Sequence, residues 1–394
     1  MSGVFITDGH ARAAIQIARS LGEKGIDVFA GEYYKVNPTF FSKYVKKRLV
    51  YPKPDIHPNE FIDAVYDFAV KNEVEVILPV VDDCLLLLSK YKEKFEPEIK
   101  LPFAGYDKLL IGRDKAKTIE LARKLGIPHP RTIIDEDPDF DFLKREFGFP
   151  MILKPRESSG TRGIAYIESE ELLEKIFLKI KKQYGTPMIQ EFIPHGGAYG
   201  VGLLFNKGKV KAKFAYKRLR EYPVSGGPST LRKSIVYPEI EGYAIKMLQY
   251  LKWHGPAMVE FRVDAKTGEP KLMEINPRYW GSLRLPIYAG VDFPYLHYKM
   301  AINGDVDPVL DYKLGVKARW FLFGDLLWFL EQKNKLKIAS NFFKMQNENM
   351  VYDTLSMSDP LPVIGSLLEG IIFMVKKKEY VFKRGWEIND CDDR

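Results

Sequence analysis

The sequence predicts a mixed α/β and α+β protein of 394 residues. Residues 1–107 alternate short apolar strands with amphipathic helices, a pattern that favours a doubly wound parallel sheet. Residues 187–278 carry successive strand patterns joined by glycine-containing turns, which favours antiparallel sheets. Residues 305–394 contain apolar and aromatic stretches interleaved with lysine, and they predict a mainly helical C-terminal extension.

The composition indicates a soluble globular protein of two or three domains, with 46% hydrophobic and 28% charged residues. The net charge of +8 is dispersed, so it does not imply a nucleic-acid partner, although it is compatible with an anionic ligand. Cys84 and Cys391 are far apart, which predicts neither a disulfide framework nor a zinc site and favours a reducing cytoplasm. The sequence shows no signal-peptide pattern and no apolar stretch of transmembrane length.

The N-terminal βαβ pattern predicts a sheet whose strands could end at a ligand-binding edge. Strand patterns at residues 4–7 and 26–30 flank a helix, but the turn after the first lacks Gly-x-Gly-x-x-Gly, which argues against a dehydrogenase. The strand at residues 74–78 leads into Asp82 and Asp83. Open α/β sheets bind ligands at this end of their strands, so the two aspartates are either substrate contacts or helix N-caps.

A glycine-rich loop follows the next apolar strand, at residues 151–154, which ends in Lys154. The loop, residues 156–163, contains small hydroxyl residues, two glycines and two arginines. Glycine allows backbone N–H groups to approach a phosphate closely, and successive N–H groups form an anion-binding concavity. The loop is not a Walker A motif, but it predicts an anion site with the lysine beside it.

Residues 217–230 form a second basic element, which we interpret as a long polar loop. Loops of such length are usually functional or disordered. Earlier in the chain, residues 195–198 predict a glycine-rich turn. Arg218 and Arg220 alternate and should share one strand face, where two guanidinium forks could hold a carboxylate or a phosphate. Together with residues 225–230 they are the candidate substrate-binding groups.

The strongest local pattern is a β-hairpin with arms at residues 258–264 and 270–278. Both arms alternate with period two, and Lys-Thr-Gly between them is typical of a turn. If the turn centres on Thr267, Glu260 lies directly opposite Glu274. Like charges facing each other across strands are destabilising, and a cation between them would reverse that cost.

The hairpin also supplies further polar groups on the face of these two glutamates. Asn276 adds an amide oxygen, and Arg278 lies beyond it. Two carboxylates and one amide are typical ligands of Mg²⁺, which in such a sparse site usually shares nucleotide phosphates. The alternative is a surface ribbon whose charges are merely solvated.

In order and spacing these motifs resemble the ATP-grasp superfamily, and most closely its carbamoyl-phosphate-synthase-like carboxylate–amine ligase branch. The resemblance implies a pre-ATP-grasp domain at residues 1–107, an ATP-grasp domain at 108–304 with a small lid subdomain at about 127–190, and an extension at 305–394 outside the shared core. The nucleotide-binding residues that it implies are Lys115, Lys154, Glu157, Ser158, Ser159, Gly160, Thr161, Gly163, Glu191, Phe192 and Ile193. The metal ligands would be Glu260, Glu274 and Asn276, and the catalytic arginine Arg278, which joins the candidates Arg218 and Arg220.

The resemblance further implies ATP and Mg²⁺ (or Mn²⁺) as cofactors, and small-molecule carboxylate and amine substrates. The implied reaction activates the carboxylate as an acyl phosphate, which the amine attacks to form an amide. A non-catalytic ATP-binding regulator is the alternative function. For residues 305–394 we prefer a tail packed on the main domain, and the alternative is an amphipathic surface for a membrane or a partner.

Overall fold

The computed structural model describes residues 3–158, 162–224, 226–343 and 349–376. Its N-terminal unit is a four-stranded, all-parallel sheet in the order β3-β2-β1-β4, which confirms the predicted parallel sheet. The strands are β1 (Gly3–Ile6), β2 (Asp27–Glu32), β3 (Val45–Val50) and β4 (Val74–Leu78), and the helices are α1 (Arg12–Gly22), α2 (Pro58–Lys71) and α3 (Asp82–Lys90). Strand β3 has mostly exposed polar side chains, and the sequence analysis did not predict it.

Two short helices follow, α4 (Tyr106–Arg113) and α5 (Lys115–Leu125). The carboxylate of Asp114 caps α5 by accepting the N–H of Ala116, and α5 ends at Gly126, which has a φ of +65°. Both are standard helix boundaries, and they place Lys115 at the first helical position.

The second sheet is small and antiparallel, in the order β5-β8-β6-β7. Its elements are β5 (Thr132–Ile133), α6 (Phe140–Phe147), β6 (Met151–Lys154), β7 (Ala165–Ile167), α7 (Glu170–Tyr184) and β8 (Met188–Glu191). The acidic segment 135–141 is not a loop throughout, because the carboxylate of Asp139 accepts the N–H of Phe142 and caps α6.

The third sheet has seven strands in the order β13-β12-β9-β10-β11-β14-β15. Its first elements are β9 (His195–Asn206), β10 (Lys209–Glu221), β11 (Ser229–Ile235), α8 (Pro238–Tyr250), β12 (Gly255–Asp264) and β13 (Pro270–Asn276). Two expectations were wrong here. The glycine turn at 195–198 is the start of β9, and much of the polar loop at 217–230 belongs to β10 and β11. Gly196 serves close strand packing, since a Cβ atom there would lie 2.9 Å from the carbonyl oxygen of Val263.

The C-terminal residues complete this large sheet. They form α9 (Arg284–Ala289), α10 (Phe293–Asn303), β14 (Lys317–Arg319), α11 (Leu326–Glu331), α12 (Lys335–Phe342), β15 (Met350–Tyr352) and α13 (Leu361–Lys376). Strand β14 pairs with β11 and β15 pairs with β14, so the expectation of a mainly helical extension missed two strands. Among the described helices, none combines the length and the apolar character needed to cross a membrane.

Buried ion pairs tie this C-terminal segment to the rest of the molecule. Arg19 of α1 donates to Asp359, and Arg232 of β11 pairs with Asp353. Arg232 and both aspartates are at most 1% exposed. Buried charges that depend on each other in this way are costly to separate, so residues 353–359 are fixed against both the N-terminal unit and the large sheet.

Candidate functional site

The hairpin formed by β12 and β13 has the predicted register. Glu260 pairs directly with Glu274, Met258 pairs with Asn276, and a β-bulge follows immediately after Glu260. The amide Nδ2 of Asn276 lies 3.4 Å from Oε1 of Glu260 and 3.2 Å from Oε1 of Glu274. The two carboxylates and the amide therefore form one cluster on one face of the large sheet, which confirms the predicted geometry.

Two lysines from different elements face this cluster. Nζ of Lys115 lies 3.4 Å from Oε2 of Glu274 and donates to the backbone carbonyl of Ser158 at 2.6 Å. Lys154, at the end of β6, is 4% exposed. Burial, reinforced by the positive charge of Lys115, lowers the pKa of Lys154 to about 7. Arg262 contributes to the same shift, so it is a second cation near Lys154.

The two glutamates differ in their electrostatic environments. Burial raises the pKa of Glu260, although Arg218 opposes the shift through an ion pair with Oε2. Burial would also raise the pKa of Glu274, but Lys115 and Lys154 outweigh it and hold this pKa below its ordinary value. Protein cations thus already balance both carboxylates: Arg218 of β10 for Glu260, and Lys115 of α5 and Lys154 of β6 for Glu274.

Arg278 connects the cluster with the N-terminal unit. Its Nε donates to Oδ2 of Asp82 at 3.0 Å, and its Nη2 lies 3.3 Å from Oδ1 of Asn276. Asp82 is the first residue of α3 and does not cap it, because Val81 occupies the N-cap position. The N-cap alternative was therefore wrong for Asp82, whose carboxylate instead positions Arg278.

The start of the glycine-rich loop lies beside Lys115, which donates to the backbone carbonyl of Ser158. Arg113 bridges Oδ1 of Asp83 and Oε2 of Glu157, each at 3.2 Å, and so links α3 to the loop. Gly163 has a φ of +74°, and a Cβ atom there would lie 2.6 Å from the ring of Pro155. The predicted nucleotide contacts Ser159, Gly160 and Thr161, and also Ser225 of the second basic element, lie outside the described residues.

The predicted nucleotide-binding residues Glu191, Phe192 and Ile193 connect the small sheet to the large one. Glu191 ends β8 and accepts bonds from Nε of Arg131 and Nζ of Lys271, both at 2.8 Å. Phe192 makes an edge contact with the ring of Tyr166, and Ile193 is 4% exposed. The cations around its carboxylate tie Glu191 to both sheets, because Arg131 lies next to β5 and Lys271 lies on β13.

Arg220 does not join the cluster, contrary to the expectation that it shares a face with Arg218. The pairing of β10 with β11 shifts register between the two arginines. Nη1 of Arg220 bonds Oδ2 of Asp325 at 2.9 Å, and its guanidinium lies 4.2 Å from the ring centroid of Trp328. A bulge inserts an extra residue and redirects the side chains that follow it, so strict alternation fails at this point.

The sequence analysis assigned no role to two cations of the site. Arg262 lies on the polar face of β12 that Glu260 shares, and this alternation was a usable signal. Arg113 directly precedes Asp114, and only the folded chain shows that it bridges α3 and the loop. No group of three or more histidine, cysteine, aspartate or glutamate side chains in the described ranges could hold a metal ion. A metal here would depend on two carboxylates, one amide and ligands from a substrate.

Comparisons with known proteins identify chains of similar sequence and similar fold. Residues 185–321, which include the hairpin, match a family described as ATP-grasp in the biosynthetic pathway with Ter operon. The D-alanine–D-alanine ligase B of Chromobacterium violaceum is 27% identical over 192 residues, which are 45% of this chain and 61% of that protein. The D-alanine–D-alanine ligase of Neisseria meningitidis serogroup C is 29% identical over 99 residues, or 25% of this chain and 32% of that protein. The chain thus spans less than two thirds of these relatives.

Solved structures show the same fold over most of the chain. N5-carboxyaminoimidazole synthetase of Staphylococcus aureus, complexed with ADP, has a TM-score of 0.64 at 17% identity and covers 80% of both chains. Biotin carboxylase of Campylobacter jejuni has a TM-score of 0.64 at 18% identity, with 80% of this chain and 74% of that one covered. An L-amino acid ligase of Bacillus licheniformis has a TM-score of 0.59 at 17% identity and covers 78% of each chain.

Proposed function

Because the chain belongs to the ATP-grasp superfamily, we propose that it is an ATP-dependent carboxylate–amine ligase. It would join a small-molecule carboxylate to an amine through an acyl phosphate and release ADP and phosphate. The observation that carries the proposal is the cluster of Glu260, Glu274 and Asn276 facing Lys115 and Lys154. The assignment to the carbamoyl-phosphate-synthase-like branch stays a prediction within this proposal.

The donor chemistry of the cluster fits Mg²⁺. Glu260 and Glu274 supply hard carboxylate oxygens on one face, and the side chain of Asn276 lies within 3.4 Å of both. When held by these residues, the metal would neutralise part of the negative charge of the phosphates. The remaining coordination positions would fall to the nucleotide and water, since Mg²⁺ seldom takes all its ligands from protein.

Positively charged side chains of the protein would supply most of the remaining stabilisation of the phosphates. Phosphoryl transfer depends mainly on positioning and on stabilising the phosphate charge. Lys115 of α5, Lys154 of β6 and Arg278, which follows β13, lie around the carboxylates, so a bound triphosphate would be held from several sides. Asp82 accepts a hydrogen bond from Nε of Arg278, so this guanidinium is already oriented before the nucleotide binds.

Arg218 is our candidate for binding the carboxylate that is activated. Its Nη2 holds Glu260 and its Nη1 contacts Glu221 at 3.3 Å, while its buried Nε has no partner among the described residues. Buried donors are normally satisfied, so this N–H is available to an oxygen of the substrate. The guanidinium would then place the acceptor carboxylate next to the metal ligand that it already contacts.

The test is a screen for ADP release with Mg²⁺ and ATP across pairs of amino acids and dicarboxylates. A ligase releases ADP only when a suitable carboxylate and amine are both present, and the amide product is then identified by mass spectrometry. A regulator would bind ATP, as measured by calorimetry, but it would give no ADP with any pair. That second result would contradict the ligase proposal and favour the regulatory alternative.

The two neighbouring arginines of β10 should behave differently. Arg218→Ala should lower turnover about 10²-fold, because it removes a buried charge-assisted contact at the reacting centre. Arg220→Ala should leave turnover within about twofold and instead lower the free energy of unfolding by about 1–2 kcal/mol, since Arg220 pairs with the buried Asp325. Steady-state kinetics and urea denaturation of both variants test this, and equal kinetic losses would contradict the assignment.

A further inference from the structure

Three arginines lie together beside the candidate site, and we call Arg12, Arg218 and Arg232 the arginine cluster. Arg218 and Arg232 are direct cross-strand partners on β10 and β11, so their side chains share one face of the large sheet. Glu260 of the candidate site lies on this face too, since its Oε2 pairs with Nη2 of Arg218. Like charges directly opposite each other are destabilising, so an anion bound beside the two arginines would reverse that cost.

Arg12 reaches the same face from the N-terminal unit. It is the first residue of α1, and its Nη1 donates to Oδ2 of Asp353 at 3.1 Å, while the other oxygen of this carboxylate pairs with Arg232. A Cβ atom at Gly281 would lie 2.8 Å from Nη2 of Arg12, so this guanidinium lies against the segment that follows Arg278. Burial and the charge of Arg232 lower the pKa of Arg12 to about 10, although Asp353 opposes the shift.

Tyr216 is a common neighbour of the three arginines. Its hydroxyl donates to Sδ of Met258 at 3.0 Å, on the face of the large sheet that carries the candidate site. Burial raises the pKa of this phenol, and the charges of Arg218 and Arg232 oppose the shift. The phenol also interacts electrostatically with Arg12. The three guanidinium groups therefore face a common region, next to the metal ligand that Arg218 contacts.

The hydrogen bonds and charges of the arginine cluster are incompletely balanced. Arg232 is 0% exposed, yet its Nε and Nη1 have no partner among the described residues, and neither has the buried Nε of Arg218. Buried donors are normally satisfied, and a buried charge is costly unless it is paired. Asp353 is one carboxylate shared by two guanidinium groups, Arg12 and Arg232, which leaves one positive charge over. The side chains of Arg12 and Arg218 are 20% and 15% exposed, so the cluster can be reached from solvent.

We propose that the substrate is a short dicarboxylate whose second carboxylate binds to Arg232 and Arg12, while Arg218 holds the carboxylate that is activated. The reaction in this inference rests on the proposed ligase function, but the binding does not. Neighbouring strands lie about 4.8 Å apart, so the two carboxylates would be joined by a short carbon chain. The single positive charge left by Arg12, Arg232 and Asp353 matches one carboxylate better than a doubly charged phosphate.

The test is calorimetric binding of succinate, glutarate, butyrate and inorganic phosphate to the full chain at constant ionic strength. Succinate or glutarate should bind about tenfold or more tightly than butyrate, which has one carboxylate, and more tightly than phosphate. Butyrate or phosphate binding as tightly as the better dicarboxylate would overturn the inference, and so would the absence of dicarboxylate binding. Dicarboxylate binding without ADP release from any substrate pair would contradict the ligase proposal alone.

Two variants test the assigned arginines. Arg12→Gln, at the partly exposed start of α1, should lower the affinity for the dicarboxylate about tenfold and leave that for butyrate unchanged, whereas a merely structural role would not separate the two ligands. Arg232→Gln should abolish the preference for the dicarboxylate, and circular dichroism checks its fold because Arg232 also pairs with Asp353.

Arg48→Gln is the matched control. It removes an exposed arginine of β3 in the same N-terminal unit and should bind both ligands as the parent protein does. Arg12→Gln keeping the full preference, or Arg48→Gln losing it equally, would show that the arginine cluster does not hold the second carboxylate.

Discussion

Replacing Glu274 with glutamine is expected to lower the rate of ADP release by about 10²–10³-fold or more. The amide keeps the volume of the side chain but removes the negative charge that faces Lys115 and Lys154. It also removes one of the two carboxylates available to Mg²⁺. The measurement is ADP release at saturating ATP and Mg²⁺, once the initial screen has found a productive pair of substrates.

Glu269→Gln is the matched control for this prediction. It makes the same chemical change in the same hairpin, at an exposed position next to the turn. Its turnover should equal that of the parent protein within about twofold, as is usual for surface substitutions. If Glu274→Gln retained full turnover while it remained folded, the cluster would not be the catalytic centre, and the ligase proposal would lose its main support.

The hairpin could be predicted because its determinants are local. Alternation fixes which residues share a face, and a short turn fixes which residues face each other across the strands. Thus Glu260 and Glu274 lie opposite each other, as expected. The bulge that follows Glu260 changes the pairing only between this residue and the turn, so it leaves Glu260 opposite Glu274.

The failures arose where distant segments decide the structure. Arg220 has a regular alternating position in the sequence, yet its orientation depends on a bulge and on Asp325, which lies 105 residues away. Strands β14 and β15 are three residues long, too short to leave a pattern of their own. They exist because β11 offers a sheet edge to β14, and β14 in turn offers one to β15.

Lys154→Met is expected to stabilise the nucleotide-free protein and at the same time to weaken ATP binding. Burial lowers the pKa of this lysine from its ordinary 10.5 to about 7, so the folded protein carries a cost for charging it. Methionine removes that cost with a side chain of similar length, and the gain in unfolding free energy at pH 6 should be about 1–3 kcal/mol. Without the cation, the affinity for ATP should fall about tenfold or more. Urea denaturation and calorimetry measure the two effects.

The pH dependence of the stability difference between Lys154→Met and the parent protein distinguishes the cost of charging a buried lysine from a simple gain in packing. Below pH 7 the lysine is charged in both the folded and the unfolded chain, so the full cost applies there. As pH rises from about 7 toward 10.5, the folded form loses its proton first, the cost disappears, and the stability difference between Lys154→Met and the parent protein should shrink. The control Lys117→Met alters an exposed lysine on α5 and should show no such trend.

Nucleotide binding should show the complementary trend, because phosphate charge raises the pKa of Lys154 and binding then takes up a proton. The affinity of the parent protein for ATP should decrease as pH rises above about 7, whereas Lys154→Arg, which stays charged, should show a flatter profile. A parent protein whose ATP affinity is constant from pH 6 to pH 9, or a Lys154→Met variant whose stability gain does not change over this range, would show that the lysine does not titrate at this site.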